Sequence, residues 1–336
     1  AEGEIDEHEP LGVVVPLVAR EVTRLRAVRD EVRRLRRRQR FVAVDVVAVR
    51  GLIPDLIGVE RVLRVDRERL AVLDLQGALD LLQRQVREHA ADTKLRVFLF
   101  QLLCVLGQWQ RASTQLEVCG ELDAATLPMV NTYREALKCE LVREAVFAGK
   151  TTPIAFGQPQ AWVAWLVEAL QAQARGDAGG AARLRTEAFQ GAPATPGTLN
   201  GKAFEWIADA DSRLGPVIEA VIKGRYCWVP FAAVAKVVIE APVDLRDLVW
   251  APAQFQLHNG GQTVALIPTR YVGSGASATG ALQLSRATEW LELAPDHFSG
   301  LGQRLFTTSG PELGLLETRE IVLAETPADI EDEPAG

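Results

Sequence analysis

The chain has 336 residues, 48% of them apolar and 24% charged, with a net charge of −7. That length can bury a sizeable core and suits more than one domain, while the acidic balance argues against a nucleic-acid binder that works through overall charge. No apolar run reaches the roughly 18–20 residues that cross a bilayer; with neither nucleic acid nor membrane insertion indicated, the expected location is cytoplasmic.

Residues 1–70 are rich in Arg and Val and contain no Lys, Ser, Asn, Cys, Met, Tyr or Trp. Within them, LVAREVTRLRAVRDEVRRLRRRQR (17–40) sets Val18, Val22, Leu25, Val28, Val32 and Leu35 at helical spacing with Arg on the other faces. Such a helix suits an acidic polymer or a membrane surface. It equally suits a loosely attached extension with a solvated charged face, or a stretch ahead of a downstream start. LGVVVPLVA (11–19) has the apolar character of a signal segment, but an acidic AEGEIDEHEP precedes it where a basic one belongs.

Residues 71–198 carry helical periodicity and an internal repeat. QGALDLLQRQV (76–86) aligns with QRASTQLEVCG (110–120), so that Ala78 maps onto Ala112 and Leu82 onto Leu116. The shift of 34 residues is the length of a tetratricopeptide unit. In LGQWQRAS, Gly107 permits a tight corner, Trp109 fills the gap between paired helices, and small Ala112 lets them approach. A third copy spans WVAWLVEALQAQARGDAGGAARLRTEAF (162–189), with Gly176 at its corner and Ala181 as its small contact. Stacked pairs of this kind form a curved solenoid with a concave face, although a plain helical bundle has the same periodicity. If Thr93 and Trp162 open their units, Lys94, Val97, Gln101 and Cys104 face the groove from one helix, and Val163, Leu166 and Leu170 from another. The same apolar positions also suit a helical core.

From 199 onward the pattern changes. PVIEAVIKG (216–224) reads as a helix closed by Gly224. YCWVPF, KVVIEAP, DLVWAPAQFQL, TVALIPTRYVG, TEWLEL, QRLFTTSG and LGLLETREIVL are short β-branched and aromatic runs. HNGG fits a hairpin turn and GSGASATG a flexible loop. The expected fold is therefore α+β: a tetratricopeptide-like N-terminal helical solenoid, then a smaller C-terminal domain (199–323) of a helix and an antiparallel sheet or barrel. Residues 324–336 read as an acidic disordered tail.

The chemistry-bearing candidates are few. Cys104, Cys119, Cys139 and Cys227 form no CxxC pair, and His8, His89, His258 and His297 are scattered. Asp209 and Asp211 in EWIADADSRLGP stand one residue apart beside Arg213. Close-set carboxylates can hold a divalent cation for hydrolysis or transfer, but that chemistry needs further ligands around an open pocket. Short acids near a helix end more often cap backbone N–H groups or pair with a neighbouring Arg. A structural role for Asp209, Asp211 and Arg213 is the expectation, with no metal, cofactor or catalytic residue; a metal-dependent enzyme is the alternative.

Several segments, in order, resemble one family. LRVFLFQLLCVLGQWQRA, FEWIADADSRLGPVIEAVIKGRYCWVPF, DLRDLVWAPA, NGG, ALIPTRYVGS, TEW, GLGQR and LLETREI look like the ImpE family, also called TagJ. The likeness runs from about residue 74 to about residue 323, leaving 1–70 outside it. It implies a non-enzymatic, cytoplasmic accessory protein of the bacterial type VI secretion system, helical at the N-terminal side and β-containing beyond. It also implies a partner: the N-terminal helix of the small contractile-sheath subunit, of the TssB or VipA type. The implied effect is on sheath assembly, or on recycling by the ClpV-type unfoldase.

Overall fold

The structure is a computed structural model and describes residues 74–157 and 160–325. The Arg-rich stretch 1–70, including the helix expected over 17–40, and all but the first residues of the acidic tail lie outside them.

Among the described residues, six long helices come first. α1 (Leu75–Glu88) starts where the Asp74 carboxylate accepts from the Gly77 N–H at 2.8 Å, and buries Leu75, Leu79, Leu82 and Val86 along one stripe. α2 (Thr93–Val105) is capped in the same way by Asp92, and its second half is buried on all sides. α3 (Trp109–Leu122) buries Ala112, Leu116 and Cys119. α4 (Leu127–Phe147) carries Pro128 in its first turn, where a missing N–H costs nothing. α5 (Ala161–Ala174) and α6 (Ala178–Gly191) form a second hairpin, the latter capped by Asp177. The 34-residue spacing is visible in the helix starts: 75 and 109 for α1 and α3, and 93, 127 and 161 for α2, α4 and α5. Position 143, where that spacing calls for a new helix, is instead inside α4, which runs on for 21 residues.

The corner between α2 and α3 uses Gly107 twice. Its φ of +65° makes the left-handed turn, and its bare Cα accepts another backbone. A Cβ on Gly275 would lie 2.8 Å from the Gly107 Cα, so only two glycines fit there. GSGASATG is thus a docked segment rather than a flexible loop: Ser274 is fully buried, with its hydroxyl donating to the Tyr271 carbonyl. The segment leads into a short seventh helix, α7 (Gly280–Gln283).

The β part is a mixed sheet of nine strands, larger than the expected small antiparallel one. In chain order its strands are β1 (Ile154–Ala155), β2 (Gly197–Leu199), β3 (Lys202–Phe204), β5 (Val217–Ile222), β6 (Arg225–Pro230), β7 (Val234–Ile239), β8 (Trp250–Leu257), β9 (Gln262–Pro268) and β14 (Glu320–Leu323). They lie side by side as β1-β6-β5-β9-β8-β7-β14-β2-β3. Among the described strands only β1 runs parallel to its neighbour, and it comes from the loop between α4 and α5. β4 (Ile207–Asp209), β12 (Leu305–Thr308) and β13 (Leu313–Gly314) make a small second sheet. β10 (Thr288–Ala294) and β11 (His297–Gly302) make a hairpin. HNGG turns β8 into β9.

The stretch read as a helix over 216–224 is strand β5, joined to β6 by Lys223 and Gly224, whose φ values of 49° and 73° suit a type I′ turn. All six residues of β5 are buried, which removes the apolar–polar alternation that betrays a strand. Ile218, Ala220 and Ile222 face a core shared with Phe231, Phe255 and Phe306. Val217 and Val221 face α4–α6 together with Trp228. A third core joins α1–α4 to Leu248, Val249 and Trp250 of the β part. Helices and sheet thus share their interiors, and side chains passing between the two layers are shut off from water.

Candidate functional site

Asp209 ends β4, and Asp211 lies in the loop beyond it; neither stands at a helix end, a correction that follows from FEWIADA holding the end of β3 and all of β4 in place of a helix. Both are buried, but their carboxylates face different partners. Asp209 Oδ1 accepts from the Asp211 N–H at 2.8 Å and from the Tyr271 hydroxyl at 3.1 Å, while Oδ2 pairs with Arg304. Asp211 Oδ1 accepts from the Arg213 N–H at 2.9 Å, and Oδ2 accepts from the Gly300 N–H at 2.9 Å and Arg213 Nη2 at 2.6 Å. Arg213 in turn lies over the Phe147 ring at 4.7 Å.

Arg304 extends the network by bonding Glu219 as well. Glu219, on the helix-facing side of β5, takes Arg143 Nε at 2.7 Å and Nη2 at 3.1 Å, together with the Tyr226 hydroxyl. Arg143 comes from α4 at the position where the repeat spacing calls for a new helix; it also contacts Glu140 at 3.3 Å and donates to the Arg270 carbonyl at 2.9 Å. Glu140 accepts from Trp250 Nε1 at 2.8 Å. Burial alone raises a carboxyl pKa, and it pushes Asp209 up to about 7 despite Arg304. At Glu219 burial acts in the same direction, but Arg143 and Arg304 overcome it and hold the group down to about 2. Arg270 donates to the Cys104 carbonyl at 2.7 Å, the Val105 carbonyl at 2.5 Å and the Gln283 carbonyl. Burial lowers its pKa to about 10, so it remains a cation at neutral pH. These carboxylates are committed to guanidinium, hydroxyl and N–H donors. Among the described residues no group of three or more His, Cys, Asp or Glu side chains is arranged to hold a metal ion.

The helical surface differs from the expected groove. Lys94 is exposed and Val97 half-buried, but Gln101 is nearly closed off and Cys104 is fully buried. Burial pushes the Cys104 thiol pKa well up. Val163, Leu166 and Leu170 are core residues packed with Trp228. Cys104, Val163, Leu166 and Leu170 are almost wholly covered: α5 and the second half of α2 are packed on several sides, as helices with little polar face are. Ala112 is fully buried. Trp109 reaches past its own pair, donating Nε1–H to Glu144 Oε1 at 2.7 Å with its ring 5.9 Å from that of Trp250.

A cleft does open on the helical part, between α1, α2 and α3, with a volume of about 530 Å³. Buried Val86, Leu99 and Leu103 form its floor, and Arg87, Arg96 and Arg111 stand around them. Arg96 Nε donates to the Ala90 carbonyl at 2.6 Å and Nη1 to Gln115 Oε1 at 3.1 Å, which fixes its guanidinium across the cleft. Among the described residues no Asp or Glu lines it. Sequence reasoning missed this site because it chose the adjacent stripe of α2; Arg96, Leu99 and Leu103, at i, i+3 and i+7, were its visible signal.

Comparison with known proteins places these features. A sequence profile described as ImpE protein matches residues 201–322. The type VI secretion system accessory component TagJ of Pseudomonas aeruginosa is 49% identical over 266 residues, covering 79% of this chain and 92% of that protein. The crystal structure of protein VPA1032 from Vibrio parahaemolyticus superposes with a TM-score of 0.72 at 25% identity, covering 78% of this chain and 98% of the other.

Proposed function

Because the chain belongs to the ImpE family, we propose that it is a type VI secretion accessory protein that acts by binding and not by catalysis. Its partner in this reading is the N-terminal helix of the small sheath subunit, of the TssB or VipA type, met in the cytoplasm. The consequence is a change in sheath assembly or in recycling by the unfoldase. The observation that carries the reading is the 49% identity to a type VI secretion accessory component across nearly its whole length. Two features of the fold support it. The 34-residue spacing of helix starts is that of tetratricopeptide units, whose usual work is holding peptide segments. The acidic pair that suggested chemistry is occupied by Arg304, Arg213 and backbone donors.

Calorimetric titration of the full chain with a synthetic N-terminal helix of the sheath subunit tests this. Ordering a short peptide offsets much of the contact energy, so the expected Kd is on the order of micromolar. A titration that stays silent at roughly hundreds of times that concentration, with no competition against intact sheath subunit, refutes it.

A further inference from the structure

Strand β10, TEWLELA, carries Trp290, Leu291 and Leu293, yet none of its seven residues is buried and Leu291 is 63% exposed. Among the described strands it pairs with β11 alone. The geometry of its outer edge follows from β11. Gly300 N–H donates to Asp211 at 2.9 Å, Phe298 N–H to the Ser212 hydroxyl at 3.0 Å, and Gly302 N–H to the Ser274 hydroxyl at 2.8 Å. These residues therefore face away from β10, and they stand opposite Trp290, Glu292 and Thr288. Opposed residues of an antiparallel ladder turn together, so Thr288, Trp290 and Glu292 point their N–H and C=O groups outward from the hairpin. A long apolar edge of this kind is a template for another strand.

We infer that β10 pairs antiparallel with β10 of a second copy of this chain, about a two-fold axis at Leu291, joining two hairpins into one four-stranded sheet. The register is self-complementary. Trp290 comes opposite Glu292 of the second copy, so two outward-facing residues meet as a hydrogen-bonded pair. Leu291 meets its own symmetry mate, and Glu289 comes opposite Leu293, so no two carboxylates oppose each other. An axis at Glu292 would set that carboxylate against itself. At each end, Arg286 comes opposite Asp296 of the second copy. Arg286 is half-buried and, among the described residues, in no salt bridge. Burial alone lowers its pKa. The second copy thus supplies a counter-ion that its own chain withholds. One seven-residue edge is less than a standard interface, so the dimer is weak, with a Kd on the order of tens of micromolar. Pairing of copies is independent of what the helical layer binds.

Sedimentation equilibrium of the full chain over roughly 1–300 µM tests this. The mass is expected to rise from 36.7 kDa toward twice that value as concentration increases. Leu291→Lys sets two ammonium groups against each other at the axis and weakens the dimer about tenfold or more. Glu292→Pro removes an outward N–H while sparing the bonds to β11, with the same result. Leu291→Lys, at an exposed position, keeps the test decisive should the proline unsettle the hairpin. Arg286→Ala and Asp296→Asn each weaken the dimer several-fold, and together no more than either alone, as a coupled pair must; Asn tolerates the φ of +68° at that position. Leu141→Lys, at an exposed α4 position, changes nothing. A mass that stays at 36.7 kDa throughout overturns the inference. So does a dimer that Leu291→Lys and Glu292→Pro both leave unchanged, since it lies on another surface. Additive losses from Arg286→Ala and Asp296→Asn overturn the register centred on Leu291.

Discussion

Arg304→Met is the most informative single change. Arg304 is fully buried, bonds both Asp209 and Glu219, and donates Nε–H to the Pro268 carbonyl at 2.9 Å. Met fills similar space without the charge. Glu219 keeps Arg143 and Tyr226, whereas Asp209 keeps only an N–H and a hydroxyl. Removing one partner of a buried pair typically costs about 3–5 kcal/mol, because the remaining charge has lost its compensation. At roughly 2–4 °C per kcal/mol for a domain of this size, Tm falls by about 10 °C. A half-exposed pair such as Lys236–Glu320 is worth only about 0.2–1 kcal/mol. Circular dichroism melts of Arg304→Met and of Arg304→Met/Asp209→Asn separate the causes, since neutralising the stranded acid should recover about 1–2 kcal/mol. The pH dependence has a definite sign. Burial already holds Asp209 at about 7, above its ordinary value of 3.8, and without the guanidinium beside it the group goes higher. A carboxyl raised on folding contributes stability that is complete below its unfolded pKa and lost as pH rises through the folded one. The deficit of Arg304→Met is therefore smaller at pH 6 than at pH 8.5. A loss under about 1 kcal/mol, or a double variant less stable than the single, refutes this account of the network.

Two further outcomes follow from the same geometry. Asp211→Ala strands the Gly300 N–H and Arg213 and lowers stability by about 2–4 kcal/mol in urea unfolding; the divalent metal content of the purified protein, measured by atomic absorption, stays unchanged. Gly224→Ala puts a Cβ on a residue with φ of +73° and 3.1 Å from Glu135 Oε2, costing about 1–2 kcal/mol, while Lys223→Asn at φ of 49° is neutral or slightly stabilising by the same assay.

What the sequence disclosed is what short-range physics encodes. Gly107 and Gly176 take positive φ at helix corners, and the runs of Val, Ile and aromatic residues after 225 form strands, because turns and half-buried strands are local patterns. VIEAVI escaped because a strand covered on both faces loses its period of two, and the single Glu219 resembled the polar face of a helix. The partners of the acidic pair were illegible for another reason. Arg304 is 95 positions from Asp209 and Arg143 is 76 from Glu219, separations at which no local spacing carries information. The groove prediction failed at α2 and α5 because an apolar stripe on a helix does not say whether a solvent-facing cleft or a neighbouring sheet covers it.

The network and the cleft are linked through α2. Its N-terminal half presents Arg96 and Leu99 to the cleft, and its last carbonyls, at Cys104 and Val105, are held by the Arg270 guanidinium. Those are groups that a helix end leaves without intrahelical partners, and a buried cation is a strong way to satisfy them. Arg270 is itself anchored, because its carbonyl accepts from Arg143, which is locked to Glu219 of the sheet. Gly107 against Gly275 closes the corner just beyond. The helix that lines the cleft is thus fixed from behind by buried side chains. The buried carboxylates and guanidiniums thereby hold the helical layer on the sheet.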